Sequence, residues 1–466
     1  MDTNPGNRIR NTPRRRLARP VTAGLTIAVA AVAMAAPAAA VALAAAPAQA
    51  ATAPAPAATA TVTVGTSHRG QLVSATPLRT LPNRAAVTAR LKADGFNPAT
   101  DRYGVRTYRL VYRTVDAKGR PTIASGLLAL PINAPRNLPV VSFTHGTEVF
   151  RGDAPSMSPT GFEPGPAYTY ASAGFAVSDP DYLGLGAGPG LHPWMDVPSE
   201  TTAALDMLRA SRAYVTSHGG ALRHQVMITG FSQGASAGLG LGRALQAGAD
   251  PWFRLGALAP VSGAYDFGGA ALPSVLDGEL ARLNPNHRLG AKLAVLYTAW
   301  MLVGFDRVHP IAGMPDRIVK APYARTIEGL FDGRHTGDQV FNGLPGRISE
   351  LITPFGMNLL RHPSGGLAAA LRGTDRVCQG WMPNAPIRLY YATNDEQAVN
   401  ANTFHCQAAF AASKTRVPTI NLGTPDYQGS RHLGSNVAGT AQIARWFLRL
   451  TARERAAQIV RQFQPL

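Results

Sequence analysis

Two hydrophobic periods run along this chain, and they take turns. Apolar and polar positions alternate over Tyr108–Val115 and again over Ile123–Leu130, with Asp116-Ala117-Lys118-Gly119 between them. A period of two on either side of a turn predicts two antiparallel strands. Leu138–Phe143 is apolar without alternation, the pattern of a strand covered on both faces. Phe175-Ala176-Val177-Ser178 begins another strand, ending at Asp179-Pro180-Asp181-Tyr182. The period then lengthens. Ala204, Leu205, Leu208 and Val215 share one face of a helix predicted over Ser199–Ser217. Gln225–Thr229 and Leu255–Ser262 predict two more buried strands. Strands that alternate with helices predict a mostly parallel central sheet with helices on both faces.

From Gly263 to about Met382 the strand rhythm stops. Leu289–Phe305 is apolar almost all round, with Lys292 and Thr298 the main exceptions. It predicts a buried helix, although its length would also just reach across a bilayer. The strand rhythm resumes at Ile387–Ala392 and at Pro418–Leu422, and a last helix covers roughly Gly439–Leu450. The expected organisation is an α/β core over 70–262, a helical insertion over 263–382 and the rest of the core over 383–466.

The N-terminus follows other rules. Arg8, Arg10, Arg14, Arg15, Arg16 and Arg19 form a basic region ahead of the alanine-rich stretch Val21–Ala46. Ala48-Gln49-Ala50 then supplies a small-x-small cleavage signature. Residues 1–50 read as a secretion signal, with Arg14-Arg15-Arg16-Leu17 a weak twin-arginine hint. An uncleaved membrane anchor is the alternative. Residues 51–69, rich in Ala, Pro and Thr, read as a linker.

Composition narrows the class. Hydrophobic residues are 45% and charged residues 15%, which excludes a disordered chain. The formal charge is +18. Six leader arginines against Asp2 account for +5, leaving +13 for residues 51–466 without a dense Lys/Arg block. That describes a solvated basic surface, or alternatively attraction to anionic lipid or cell wall. No nucleic-acid motif is present, and no protein partner is indicated. Two cysteines, Cys378 and Cys406, predict one disulfide in an exported chain; two buried free thiols are the alternative.

The chemistry gathers at Gly230-Phe231-Ser232-Gln233-Gly234. This G-x-S-x-G lies between the strand Gln225–Thr229 and a small-residue helix beginning at Ala235. A serine at a sharp strand-to-helix turn is a nucleophile elbow. Gly234, Gly238 and Gly242 recur every four residues, leaving one bare helix face for close packing on the sheet. A serine nucleophile needs a contacting base, and the base an orienting acid. Asp395 follows the strand Ile387–Ala392 and is the candidate acid, with Glu396 beside it as the alternative. Only His405 and His432 follow the acid. His405 belongs to a helix leaving the acid loop, which directs it away from the serine. His432 is placed in a Gly/Ser/Arg loop before the last helix and is the candidate base. The backbone N–H of Gln233 and that of Thr147, in His145-Gly146-Thr147 after a buried strand, are the candidate oxyanion donors. His145 reads as a structural hydrogen-bonder. No metal-binding motif occurs, and Gly184-Leu185-Gly186-Ala187-Gly188 lacks dinucleotide-binding spacing, so no metal and no cofactor are expected.

These motifs resemble the secretory lipases of the α/β-hydrolase superfamily, the fungal lipase A type and its actinobacterial relatives. The matching pieces are Tyr112-Arg113-Thr114, His145-Gly146-Thr147, Pro180–Gly186, His192-Pro193, Gly230–Gly234, Asp395-Glu396 and His432. The resemblance implies an α/β-hydrolase fold and an exported hydrolase of carboxylic esters, with a helical cap over the acyl site. It carries the nucleophile onto Ser232, the acid onto Asp395 and the base onto His432. Its partners would be ester substrates and, transiently, a lipid interface. The acid loop departs, reading Asp395-Glu396-Gln397-Ala398 where D-x-x-V-P is common. The cap's apolar helix positions Tyr297, Trp300, Met301 and Phe305 are candidates for the acyl surface. Acyl transfer or peptide hydrolysis by the same triad are the competing chemistries, and a noncatalytic module would show a damaged triad.

Overall fold

The computed structural model describes residues 68–412 and 417–462. The expected secretion signal and all but the last two residues of the linker lie outside them. One sheet organises the described chain. Its strands are β1 (Leu72–Leu81), β2 (Val105–Val115), β3 (Pro121–Pro131), β4 (Asn137–Thr144), β5 (Ala176–Pro180), β6 (Ala221–Phe231), β7 (Arg254–Val261), β8 (Leu389–Tyr391) and β9 (Thr419–Asn421). Their order is β1-β2-β3-β5-β4-β6-β7-β8-β9. The first three pairs in this order, β1-β2, β2-β3 and β3-β5, are antiparallel, and from β5 across to β9 every pair is parallel.

The predicted hairpin is β2 and β3, whose register pairs Val115 with Pro121. The unpredicted β1 pairs with β2 across two register shifts, and most of its side chains face water. Pro77 sits beside one of those shifts, as proline does in edge strands. An exposed edge strand needs no apolar face, so it leaves little alternation to read.

The helices divide by position. Arg84–Ala93 (α1) and Gly165–Ser172 (α2) precede the long Val197–Ser217 (α3), and Gln233–Gln246 (α4) follows β6. Two buried clusters lie on opposite faces of the sheet. One joins Leu208, Leu239, Leu241 and Leu258; the other joins Phe143, Tyr170, Phe175 and Phe447. The glycines of α4 do what their spacing suggested. A Cβ on Gly242 would stand 2.7 Å from Leu258 on β7, and one on Gly238 3.3 Å from Ile228 on β6.

Between β7 and β8 the secondary structure is helical apart from two isolated bridges, Val319 to Ile352 and Ile387 to Leu258 of β7. Its α-helices are Leu272–Leu276 (α5), Glu279–Leu283 (α6), His287–Asp306 (α7), Ile327–Leu330 (α8), Gly337–Gly343 (α9), Ile348–Leu351 (α10), Pro354–Arg361 (α11) and Gly365–Asp375 (α12), with short π and 3-10 turns beside some of them. Asn286 caps α7 by accepting from Leu289 N at 3.2 Å. This helix is the predicted apolar one, and it is buried among cap side chains rather than uncovered. Cys378 and Cys406 are bonded, tying the end of this segment to Ala401–Ala412 (α13).

The last helix differs from its expected span. It runs Arg431–Gln462 (α14), so His432 stands in its first turn rather than in a loop. The reason lies in capping partners distant in sequence. Ser430 Oγ accepts from Leu433 N at 3.1 Å, and the Glu396 carboxylate accepts from Arg431 N and His432 N at 3.2 and 3.3 Å. These are the orphan N–H groups of a helix start.

Candidate active site

Ser232 occupies the turn between β6 and α4 with φ 56° and ψ −120°. A non-glycine residue at positive φ is strained and persists only where its surroundings hold it. Ser232 N donates to Val261 O at 3.0 Å, and the flanking glycines admit the turn. A Cβ on Gly230 would lie 2.1 Å from Thr144 Oγ1, and one on Gly234 would lie 2.0 Å from Thr144 O. No side chain fits at either position.

Three sequence-predicted residues meet here. Ser232 Oγ lies 2.9 Å from His432 Nε2. His432 Nδ1 lies 3.0 Å from each oxygen of Asp395. Asp395 Oδ1 also accepts from Gln397 N at 3.0 Å and Ala398 N at 2.8 Å, which orients the carboxylate. Asp395 and His432 are buried, and Ser232 is partly open to the cleft. Glu396, the alternative acid, is turned to the start of α14 instead. His405, the alternative base, lies on α13 and pairs with Asp266 at 2.7 Å.

The candidate oxyanion residues flank the serine. Gln233 is the first residue of α4, so its N–H has no partner within the helix. Its side chain is held elsewhere: Nε2 donates to Glu200 at 2.7 Å and lies 2.9 Å from His192 Nε2. His192 Nδ1 lies 2.9 Å from Leu183 O. Burial pushes the imidazole down to about 3, so His192 is neutral, and it pushes Glu200 up to about 8. Thr147 Oγ1 accepts from Trp194 Nε1 at 3.0 Å. His145 is buried and neutral, its pKa lowered to about 4 by desolvation, and its carbonyl accepts from Tyr182 Oη at 3.1 Å. His192-Pro193 is one of the pieces that carry the family resemblance, but the sequence assigned His192 no role, and nothing in it pointed to Glu200 or Trp194.

Glu148, next to Thr147 in the chain, belongs to a group of buried and half-buried acids. Glu148, Glu163 and Asp153 all have raised pKa values, chiefly from desolvation, with Glu163 and Asp153 each near 7.

Two cavities open at Ser232. One, of 110 Å³, is lined by His432, Leu289, Leu293, Leu296 and Ser430 among others. The other, of 40 Å³, is lined by Gln233, Phe267, Val275 and Leu280 among others. Thr147, Ser232, Tyr297 and Gln397 line both. Of the four cap side chains expected to meet an acyl chain, only Tyr297 reaches the cleft. Trp300, Met301 and Phe305 are buried in the cap's own core, where Trp300 stacks on Phe331 with centroids 4.5 Å apart. Their apolar surface is used for packing, which an apolar sequence pattern cannot tell from substrate contact.

This sheet, its strand-turn-helix serine and the helices on both faces define an α/β-hydrolase fold. Solved structures agree. A ligand-bound form of the rice cell wall degrading esterase LipA from Xanthomonas oryzae is 25% identical, with a TM-score of 0.69 over 80% of this chain and 97% of that one. Candida antarctica lipase A is 18% identical, with a TM-score of 0.53 over 77% of each chain, a likeness of fold. These neighbours bear out the lipase-A-type resemblance. No family model matches the chain, and no curated protein matches its sequence. The protein is, by class, a carboxylic ester hydrolase.

Proposed function

We propose that this hydrolase cleaves carboxylic esters through an acyl-enzyme on Ser232. The observation that carries this reading is the hydrogen-bonded series Ser232–His432–Asp395 at the mouth of two cavities. His432 Nε2 takes the hydroxyl proton as Oγ attacks the ester carbonyl carbon, and Asp395 stabilises the imidazolium that forms. The N–H groups of Gln233 and Thr147 receive the oxyanion, each donor worth about 3–4 kcal/mol. Trp194 donates to Thr147 Oγ1, so the Thr147 hydroxyl proton is available to the same oxyanion. Collapse of the intermediate expels the alcohol with the proton from His432, and water reverses the sequence to release the acid.

The protein acts after export in this reading. A bonded Cys378–Cys406 pair suits an oxidising compartment, and the basic, alanine-rich leader supplies the signal. Residues 263–382 act as a cap, because side chains of α7 line both cavities at the serine and those of α5 and α6 line the smaller one.

The test is active-site labelling. A fluorophosphonate is expected to label Ser232 alone, and Ser232→Ala to lose about 10⁴-fold or more in rate. Labelling or ester turnover that survives the alanine substitution would sink the reading.

A further inference from the structure

The two cavities at Ser232 are unequal in size and in chemistry. Only the larger is bordered by His432, and only the smaller by Gln233. Tyr297 and Gln397 stand at the boundary of both. Tyr297 Oη donates to Gln397 Oε1 at 2.5 Å, and Gln397 Nε2 donates to Ser430 Oγ at 3.1 Å. The cap helix α7 and the acid loop are thereby joined across the cleft, with Ser430 completing the join at the start of α14.

We infer that the larger cavity holds the alcohol half of the ester and the smaller a short acyl half, with the Tyr297–Gln397 pair as the wall between them. This assignment rests on the ester-hydrolase reading of Ser232. Proton delivery decides which half goes where. In the acylation step the Ser232 Oγ–carbon bond forms and the carbon–alkoxy bond breaks. The proton leaves Oγ for His432 Nε2 and passes from there to the departing alkoxy oxygen. That oxygen must therefore lie within hydrogen-bond reach of His432, on the side of the larger cavity. The oxyanion points to Thr147 and Gln233, and the remaining substituent, the acyl chain, is directed into the smaller cavity.

Size then sets the substrate class. A water-sized group needs about 10–15 Å³ of such space, so the smaller cavity takes about three such groups and the larger about eight. Phe267, Val275 and Leu280 wall the smaller one with buried apolar side chains. The fit is an acetyl-to-butyryl ester of a bulky or extended alcohol, rather than a long-chain acylglycerol.

Two ester series read the two arms separately. In one, the alcohol is constant and the acyl group grows from acetyl to octanoyl. In the other, acetate esters run from ethyl to octyl. The wild-type protein is expected to peak at or below butyryl and to lose at least about tenfold in kcat/KM by octanoyl, while octyl acetate stays within about threefold of ethyl acetate. Val275→Ala is expected to move the acyl optimum up by about two carbons and leave the alcohol profile in place. Leu293→Trp is expected to lower octyl acetate relative to ethyl acetate and leave the acyl profile in place. Should Val275→Ala not fold, the wild-type profiles and Leu293→Trp carry the test. An octanoyl optimum, or a Val275→Ala change confined to the alcohol series, overturns the assignment while the enzyme remains a Ser232 esterase. Failure of every ester together with absence of fluorophosphonate labelling overturns the underlying reading as well.

Discussion

The catalytic floor and the cap over it are built on different principles. On the floor, each chemical group is held from several sides at once. Asp395 accepts three N–H donors, Ser232 is locked in a strained turn, and the helix bearing His432 is capped by Glu396 and Ser430. The cap is held by apolar packing, with Trp300, Val303 and Ile318 buried in its own cluster. Strain and polar networks define one geometry, whereas apolar packing tolerates exchange of similar volumes. The floor should therefore govern whether the reaction occurs, and the cap which ester is chosen.

The most severe way to break that division is at the base. His432→Ala is expected to approach Ser232→Ala in severity, about 10⁴-fold or more in kcat, because triad members act as a unit. His405→Ala should stay near wild type in steady-state rate, since its partner is Asp266. The opposite ranking in ester hydrolysis would place the base on α13.

Gly234→Ala attacks the floor through the backbone. The new Cβ would meet Thr144 O at 2.0 Å and His145 O at 2.3 Å, carbonyls of β4 and the strand's end that cannot swing aside. A loss of roughly 4 kcal/mol in chemical denaturation is expected, together with loss of fluorophosphonate labelling. Retained labelling at wild-type stability would show that the elbow relaxes.

Next in size is the covalent tie between the two regions. The bonded cysteines are 28 residues apart, and loop-entropy reasoning makes the tie worth about 3.5 kcal/mol. Cys378→Ser is expected to lower stability by that order in denaturant titration while the ratio of butyryl to octanoyl turnover stays put. A changed ratio would mean that the disulfide shapes the cavity as well as the stability.

The smallest effect sharpens the comparison through pH. Glu163 folds into a buried site where its pKa rises from 4.5 to about 7, chiefly through desolvation. The folded protein therefore keeps a proton that the unfolded chain releases above pH 4.5. Its contribution is full below pH 4.5 and is lost as pH rises through 7, an effect of about 3 kcal/mol. Calorimetry is expected to show a falling Tm between pH 5 and 8, and Glu163→Gln should flatten that fall. An unchanged slope would assign the pH dependence to Glu148 and Asp153.

Much of the floor could be read in advance. Strand alternation in β2, the unbroken apolar run of β4 and the G-x-S-x-G turn are local signals, and each is present where the structure has it. Strand β3 is present where it was expected, but it is buried continuously over Ala124–Ala129 rather than on alternate residues. Asp395 and His432 were legible through chain order within an assumed fold. The start of α14 was not legible, because Glu396 supplies its cap from 35 residues away. The edge strand β1 was missed because most of its side chains face water, as strands without a buried face do. In the cap, Trp300, Met301 and Phe305 offered the same apolar pattern as Tyr297, yet only Tyr297 meets the cleft.

The sequence by itself determined the α/β class, the elbow and the identity of the groups that gather there, since these rest on periodicity and on glycines whose spacing is local. Only the tertiary structure decided that Glu396 caps a helix while Asp395 faces the imidazole, that His405 turns to Asp266, and that the cleft divides at Tyr297 and Gln397. The physical reason is that a side chain's role follows from what it touches. Those contacts join residues tens to hundreds of positions apart, and no local pattern encodes them.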